Sequence, residues 1–321
     1  MLSENDWLAR VLREHPDSSW QRCSSLADMA VLRLPAGEAL AMSMDTLVCG
    51  VHFTMAATPA DIGHKALAVN LSDLAAMGAK PSAALLSLSA TAIDSGWLNE
   101  FAQGFRTLAD RFNVQLAGGT VNDGPLAITV NIYGQLPAQQ ALRRDKATIG
   151  DLIFITGTLG DAGLALAVAR GDIPAAPHDR HWQYLESRLH RPEPRIAAGI
   201  ALRDLASSAI DLSDGLVADL NHVLRASDVG AAIDVTRLPL SRAMMNTIDL
   251  NEARRLALSA GDDYELCFTI PPNKLARLNS VQAHLNCPIQ QIGKIERDYG
   301  LRCFDEAGSW PVTKRGYQHF A

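Results

Sequence analysis

Within Lys65–Pro81, apolar side chains recur at Leu67, Val69, Leu71, Leu74 and Met77, close to the spacing of one helical face. The spacing predicts a core-facing helix that begins at Pro59-Ala60-Asp61, is ended by Gly78, and gives way to a turn at Ala79-Lys80-Pro81. In the middle of this apolar pattern stands Asn70-Leu71-Ser72-Asp73, a polar patch with one carboxylate. An acid placed there needs an explanation.

Residues 1–20 read as a short helix and a loop, and Ala30–Leu34 and Ala39–Val48 as strands joined by a turn at Pro35-Ala36-Gly37. Ala83–Ser89 is a buried-type strand and Trp97–Phe112 a helix with Leu98, Phe101, Phe105 and Leu108 on its apolar face. Val114–Ala117 is a short strand running into Gly118-Gly119-Thr120, and Leu126–Leu136 is another strand. Pro137–Gly150 is polar, basic and turn-rich, which places a domain boundary there and divides the chain into 1–137 and 138–321. Beyond it, strands are expected at Asp151–Thr156, Ser208–Leu212, Ala231–Val235, Tyr264–Ile270, Ile289–Ile295 and Leu301–Phe304. Helices are expected from Asp161 to Ala169, and over Trp182–Leu189, Arg195–Leu205, Leu216–Ala226 and Leu275–Leu285. Strands and helices mix without strict βαβ alternation, which predicts an α+β fold in two domains.

Composition narrows the classes of function. A net charge of -6 without a Lys/Arg-rich run argues against nucleic acid or an anionic membrane as partner. No apolar run reaches a membrane-spanning length of about 18 residues, and the first residues lack a signal-peptide core. The five cysteines are scattered, odd in number and form no CxxC pair, so reduced thiols in a cytoplasm are expected.

Three segments pair a carboxylate with a hydroxyl: Ser43-x-Asp45-Thr46, Asn70-x-Ser72-Asp73 and Asp211-x-Ser213-Asp214. Taken singly, an aspartate at the end of an element is usually solvated or a helix cap, and Asp214 before Gly215 suits an N-cap. Taken together, and with Asp28, hard oxygen ligands from several segments suit Mg²⁺ holding phosphates. Gly118-Gly119 and Gly157-Thr158-Leu159-Gly160 are either ordinary turns or backbone cradles for phosphate. His52 among apolar neighbours is by default a packed histidine, and Arg144 in the linker a solvated cation, with substrate and phosphate contact as the sharper readings. Asp262-Asp263-Tyr264-Glu265 is either a solvated strand entry or a contact for a cationic group. P-loop, GxGxxG, HExxH and GxSxG motifs are absent.

Together the segments SMDTLVCGVHF (43–53), NLSDLAAMGAKP (70–81), LAGGTVNDGPLAITV (116–130), GDLIFITGTLGDAGLAL (150–166), IDLSDGLVADL (210–220), SAGDDYELCFTIP (259–271) and GYQHF (316–320) resemble the thiamine-monophosphate kinase family. The resemblance runs from about Ala27 almost to the end and implies transfer of the γ-phosphoryl group of ATP to thiamine monophosphate. It further implies direct in-line transfer with Mg²⁺ and a homodimer in which the sheet of the N-terminal α/β domain pairs across subunits, followed by a C-terminal α/β domain. Carried over by position, Asp28, Ser43, Asp45, Asp73, Asp211 and Asp214 match metal ligands, with Asp45, Asp73 and Asp211 at the reaction centre. Gly118, Gly119, Thr120, Arg144 and Ser213 match nucleotide contacts, and His52, Asp262 and Tyr317 line the thiamine phosphate site.

The chain departs from the family pattern at Ala27, Met44, Thr120 and Asp123, where an acid, a threonine, an acid and a cation are expected. Asp262 stands in place of a longer glutamate. These departures leave two further readings: a degenerate paralogue that binds a thiamine phosphate or nucleotide without turnover, and a kinase for a different phosphorylated acceptor.

Overall fold

A computed structural model of the chain describes residues 20–22, 30–32, 34–91, 94–174, 180–312 and 316–317. Asp28 and the expected N-terminal helix lie outside these residues. The chain divides into two compact units, 1–74 with 79–141, and 75–78 with 142–321.

The first unit contains strands β1 (Trp20–Arg22), β2 (Ala30–Leu32), β3 (Glu38–Val48), β4 (Lys80–Ser89), β5 (Gln115–Asn122) and β6 (Ala127–Pro137), and helices α1 (Pro59–Ala76) and α2 (Ser95–Phe112). Among the described residues β1 and β2 pair only with each other, and the main sheet runs β3-β6-β4-β5. The expected turn at Pro35-Ala36-Gly37 is formed, with Glu38 N donating to Pro35 O (3.2 Å), but β2 does not pair with β3. Instead β3 pairs with β6 in an unbroken antiparallel register from Glu38↔Pro137 to Val48↔Ala127, a far longer ladder than the short β2 offers. Alternation along β3 buries Ala41 and Leu47 and leaves Met42 and Met44 exposed on the opposite face.

α1 is buried nearly all round, with Leu67, Ala68, Leu71, Leu74 and Ala75 fully buried and Lys65, Asn70 and Ser72 buried with them. Its approach to α2 requires glycine: a Cβ on Gly104 would sit 1.9 Å from the Ala60 carbonyl oxygen, and one on Gly63 2.2 Å from that of Phe101. Gly78, at φ 68°, closes the helix as expected, with Gly78 N donating to Ala75 O (2.9 Å) and Ala79 N to Leu74 O (2.8 Å). The expectation of a glycine turn after Ala117 is corrected. β5 continues through Gly118-Gly119-Thr120, which pair in parallel with Leu85, Leu86 and Ser87 of β4. The two glycines are rungs of a ladder because β4 offers them backbone partners.

The second unit contains β7 (Leu152–Thr156), α3 (Asp161–Arg170), α4 (Arg180–His190), α5 (Ile196–Leu202), β8 (Ser208–Asp211), α6 (Leu216–Ser227), β9 (Gly230–Asp234), α7 (Arg242–Thr247), α8 (Leu250–Ser259), β10 (Leu266–Ile270), α9 (Leu275–Gln282), β11 (Ile289–Glu296), β12 (Gly300–Asp305) and β13 (Gly308–Ser309). Its seven-stranded sheet runs β13-β12-β9-β11-β7-β10-β8 and is antiparallel except for β12 against β9. Ile153, Ile155, Ile210, Leu220, Ile233 and Cys267 belong to the core between sheet and helices. α7 and α8 have no counterpart in the periodicity reading. Each opens on a side-chain cap: Ser241 Oγ accepts from Met244 N, and Asp249 Oδ1 from Asn251 N and Glu252 N. β10 starts two residues later than expected, since Tyr264 has φ 49° and cannot sit in a ladder. Cys49, Cys267, Cys287 and Cys303 are free thiols. Among the described residues no helix is long and apolar enough to cross a membrane.

Candidate functional site

In the first unit the alternation of β3 turns Ser43 and Asp45 toward α1, where Asp73 waits. Ser43 Oγ donates to Asp73 Oδ2 at 2.5 Å, and Asp45 N donates to Asn70 Oδ1 at 3.1 Å. Asn70, itself buried, is held by donating from Nδ2 to Ala66 O one helical turn back (3.0 Å). The acid in the apolar helix thus faces a second acid on the neighbouring strand. Burial, and then the charge and hydrogen bond of Asp73, push the Asp45 carboxyl up to about 7. Two carboxyls this close favour a proton held between them.

This has a measurable consequence. In the folded chain Asp45 keeps its proton up to about pH 7, whereas an aspartate in an unfolded chain titrates near pH 4. Between those values the folded state binds more protons, so the contribution to stability falls as pH rises and stays low above about 7. With chelator present, Asp45→Asn is expected to gain thermal stability relative to the wild type on going from about pH 5.5 to pH 8. Melting curves of the two proteins that shift in parallel with pH would refute the shared proton.

Among the described residues no three His, Cys, Asp or Glu side chains stand together as a ready-made metal cage. The donor set is instead two carboxyls and a hydroxyl, Asp45, Asp73 and Ser43, all hard oxygens. Such a set fits Mg²⁺, which is commonly held by one or two carboxylates with waters and phosphate oxygens completing the shell.

Other residues of the first unit lie elsewhere. His52 follows β3; its Nδ1 accepts from Val48 N (3.0 Å) and its carbonyl from Lys65 Nζ (3.3 Å). Thr120 is in register with Ser87, which is in register with Thr129 and through it with Thr46. That row lies on the face of the sheet opposite to Ser43 and Asp45, so Thr120 is not brought to the Asp45–Asp73 pair. Gly118 and Gly119 are neighbours of Thr120 inside β5.

In the second unit three segments meet. The end of β8 carries Asp211 and the loop after it Ser213 and Asp214; the segment after α8 carries Asp262; and the C-terminal stretch carries Tyr317. Asp262 N donates to Ser213 O (2.9 Å), Tyr264 N to Leu212 O (2.8 Å) and Tyr317 N to Asp214 O (3.0 Å). A Cβ on Gly261 would sit 2.3 Å from Ser213 O, so glycine is what lets the first two segments touch. Four residues assigned to nucleotide, metal and substrate from sequence are therefore within one backbone network. Arg144, also in this unit, is exposed; its carbonyl accepts from Ser227 Oγ (3.1 Å). Its neighbour Arg143 is ion-paired with Asp145 at 2.5 Å.

Sequence reasoning missed the groups that hold this loop. Asp214 does not cap α6, since Gly215 is the N-cap residue and no side chain caps it. The carboxylate of Asp219, in the first turn of α6, reaches back and accepts from Asp214 N and Gly215 N, both at 3.0 Å. Burial, and then the charge of Asp214, push Asp219 up to about 7. An acid in the first helical turn after a glycine was the available signal. The expectation that Asp263 and Glu265 are solvated or face a cationic group of the substrate is corrected: both are buried, and Glu265 receives Arg188, Arg195 and Thr156.

Comparison with known proteins adds to this geometry. Residues 26–136 match the AIR synthase related protein, N-terminal domain, and residues 148–306 the AIR synthase related protein, C-terminal domain. The chain is 46% identical to the thiamine-monophosphate kinase of Escherichia coli (strain K12) over 296 residues, 92% of this chain and 90% of that protein. It is 40% identical to the corresponding protein of Haemophilus influenzae over 91% of this chain and 90% of that one. A crystal structure of thiamine-monophosphate kinase from Stenotrophomonas maltophilia K279a is similar with TM-score 0.85 and 41% identity, covering 90% of this chain and 92% of that one. A structure of AaThiL complexed with AMPPCP and TMP is similar with TM-score 0.79 and 29% identity, covering 90% of this chain and 89% of that one.

Proposed function

The chain belongs to the thiamine-monophosphate kinase family, and on that premise we propose that it transfers the γ-phosphoryl group of ATP to thiamine monophosphate, giving thiamine diphosphate and ADP. The observation that carries this reading is the conjunction of 46% identity to such a kinase with the Ser43–Asp73–Asp45 cluster in the chain itself.

The chemistry asks for little covalent help from the protein. The acceptor is a phosphate already ionised at neutral pH, so no strong general base is needed; positioning and charge control decide the rate. Bound Mg²⁺ supplies the positive charge that offsets repulsion between the triphosphate and the acceptor phosphate. Asp45, Asp73 and Ser43 are the residues we assign to hold it in the first unit, with Asp28 alongside them in sequence role. Asp211 and Asp214 are assigned as metal ligands in the second unit. Gly118, Gly119, Thr120, Arg144 and Ser213 are assigned to the nucleotide. His52, Asp262 and Tyr317 are assigned to thiamine monophosphate, whose thiazolium ring is a flat cation suited to a carboxylate and an aromatic face.

We further assign residues 1–137 to nucleotide binding and dimerisation and 138–321 to the C-terminal domain. A homodimer is supported by the open face of the β3-β6-β4-β5 sheet, where Met42 and Met44 are exposed by 61% and 60%. The family's place in biosynthesis, with the free thiols of the chain, supports a cytoplasmic setting.

The test is ADP release from ATP with purified protein. ADP is expected only when Mg²⁺ and thiamine monophosphate are both present, over many turnovers per subunit. ADP release that ignores thiamine monophosphate, or binding of both ligands with no ADP above background, would overturn the assignment.

A further inference from the structure

The segment Asp262-Asp263-Tyr264-Glu265 contains two residues whose backbone should not rest where it does. Asp262 has φ 67° and Tyr264 φ 49°, both left-handed. Asparagine and aspartate reach that region with some ease, but for a bulky aromatic it is a true outlier that surrounding structure must enforce. Strain of this kind gathers at sites of function, where it fixes a side chain that would otherwise swing away.

The groups that enforce it are visible. On one side Asp262 N and Tyr264 N are tied to Ser213 O and Leu212 O of the loop after β8. On the other side Arg188 of α4 donates from one Nη2 to the Asp263 carbonyl (3.1 Å) and to Glu265 Oε1 (2.8 Å). The Asp263 carboxylate accepts from Gly160 N at 2.8 Å, which locks its side chain as well. The peptide group between Asp263 and Tyr264 is thereby held at both its oxygen and its N–H, and that orientation is what the positive φ of Tyr264 requires. Tyr264 in turn donates from its hydroxyl to Asp262 Oδ1 (3.2 Å). Arg188 is 8% exposed and Tyr264 9%, so neither is placed to meet solvent broadly; Asp262 is half-buried.

We infer that Arg188 is a positioning residue for the acceptor substrate: through the Asp263 carbonyl it holds the left-handed Tyr264, whose hydroxyl sets the direction of the Asp262 carboxylate. This rests on the reading that Asp262 meets the cationic part of thiamine monophosphate. The effect belongs to one substrate. Loss of Arg188 lets the 263–264 peptide relax to negative φ and turns Asp262 away from the acceptor.

Steady-state kinetics of four variants test it. Arg188→Met keeps the packing of the stem and removes the donors; KM for thiamine monophosphate is expected to rise about tenfold or more, the worth of one charged hydrogen bond, with KM for ATP within about twofold. Arg188→Lys, which restores a donor, is expected to recover part of the loss. Tyr264→Phe removes only the brace and is expected to raise the same KM about threefold; it decides the question if Arg188→Met does not fold. Asp262→Ala tests the underlying reading by itself: an unchanged KM for thiamine monophosphate removes Asp262 from the substrate site. If Asp262→Ala is impaired while folded Arg188→Met and Tyr264→Phe keep both KM values, the positioning role is overturned. An equal rise of both KM values in Arg188→Met overturns it too, as that is the mark of general loosening.

Discussion

Asp73→Asn is expected to lower turnover by at least about 10²-fold while leaving the protein as stable as before, or more so, at pH 8. The two halves of this expectation come from the same contact. Asp73 and Asp45 face each other with Ser43 on the first of them, and Asp45 holds its proton up to about 7 because the second charge is there. An asparagine keeps an oxygen to accept from Ser43 Oγ and removes one of the two like charges. Metal-free protein therefore loses repulsion, and its melting temperature in chelator should stay level or rise. On the proposed ligand set the same change leaves Mg²⁺ one carboxylate short where the phosphates must be brought together, and activity is expected to fall. A site that lowers stability until its ligand arrives is the usual price of function. Two measurements check it: ADP release under saturating substrates, and thermal melts with chelator at pH 8. Full turnover in the variant would remove Asp73 from the reaction centre. A large drop in melting temperature together with lost activity would recast Asp73 as structural.

Legibility of this chain in its sequence followed the range of the interactions involved. α1 was legible because its apolar spacing and Gly78 are local signals that agree with each other. Ser43 and Asp45 were legible as candidates, and period-two alternation carries them to the α1 face once β3 is recognised as a strand. What failed was pairing. Pro35-Ala36-Gly37 makes the expected turn, but nothing local names the partner of β3, which is the eleven-residue β6, nearly ninety positions on. Gly118-Gly119 carries the composition of a turn, and only the presence of β4 alongside makes it strand. Asp263 and Glu265 look like surface acids because nothing near them in sequence is cationic. The partners of Glu265 sit on α4 and at Arg195, some seventy positions earlier, and that of the Asp263 carboxylate is Gly160 N, about a hundred positions earlier. Arg188 itself was detectable in principle, as a cation on the face that Trp182, Leu185 and Leu189 bury. α7 and α8 were missed although Ser241 and Asp249 carry the ordinary mark of a helix start.

Glu265→Ala is expected to be the most destabilising single substitution named here, by about 3–5 kcal/mol. The carboxylate is fully buried and is the shared acceptor of two guanidinium groups, Arg188 at 2.8 Å and Arg195 at 2.5 and 2.6 Å, with Thr156 Oγ1 at 2.7 Å. Burial pulls the charge of Arg188 toward neutrality, and Glu265 and Asp263 more than offset it, so the guanidinium remains charged in the interior. Removing Glu265 strands that charge. The side chains of Arg188 and Arg195 are 9% and 14% exposed, too little for water to replace what is lost. For a unit of this size about 1 kcal/mol corresponds to roughly 2–4 °C, so a fall in melting temperature on the order of 10 °C is expected. Whether the ionic cluster itself stabilises the fold is a separate matter, because desolvating three charges costs about as much as pairing them returns. The triple variant Glu265→Leu, Arg188→Met, Arg195→Met is therefore expected to recover most of the lost stability. It should not recover the low KM for thiamine monophosphate, since the Asp263 carbonyl would have no donor. A triple variant as unstable as Glu265→Ala would show that the network stabilises the fold outright. A triple variant with wild-type stability and wild-type KM would show that the buried ions serve neither end.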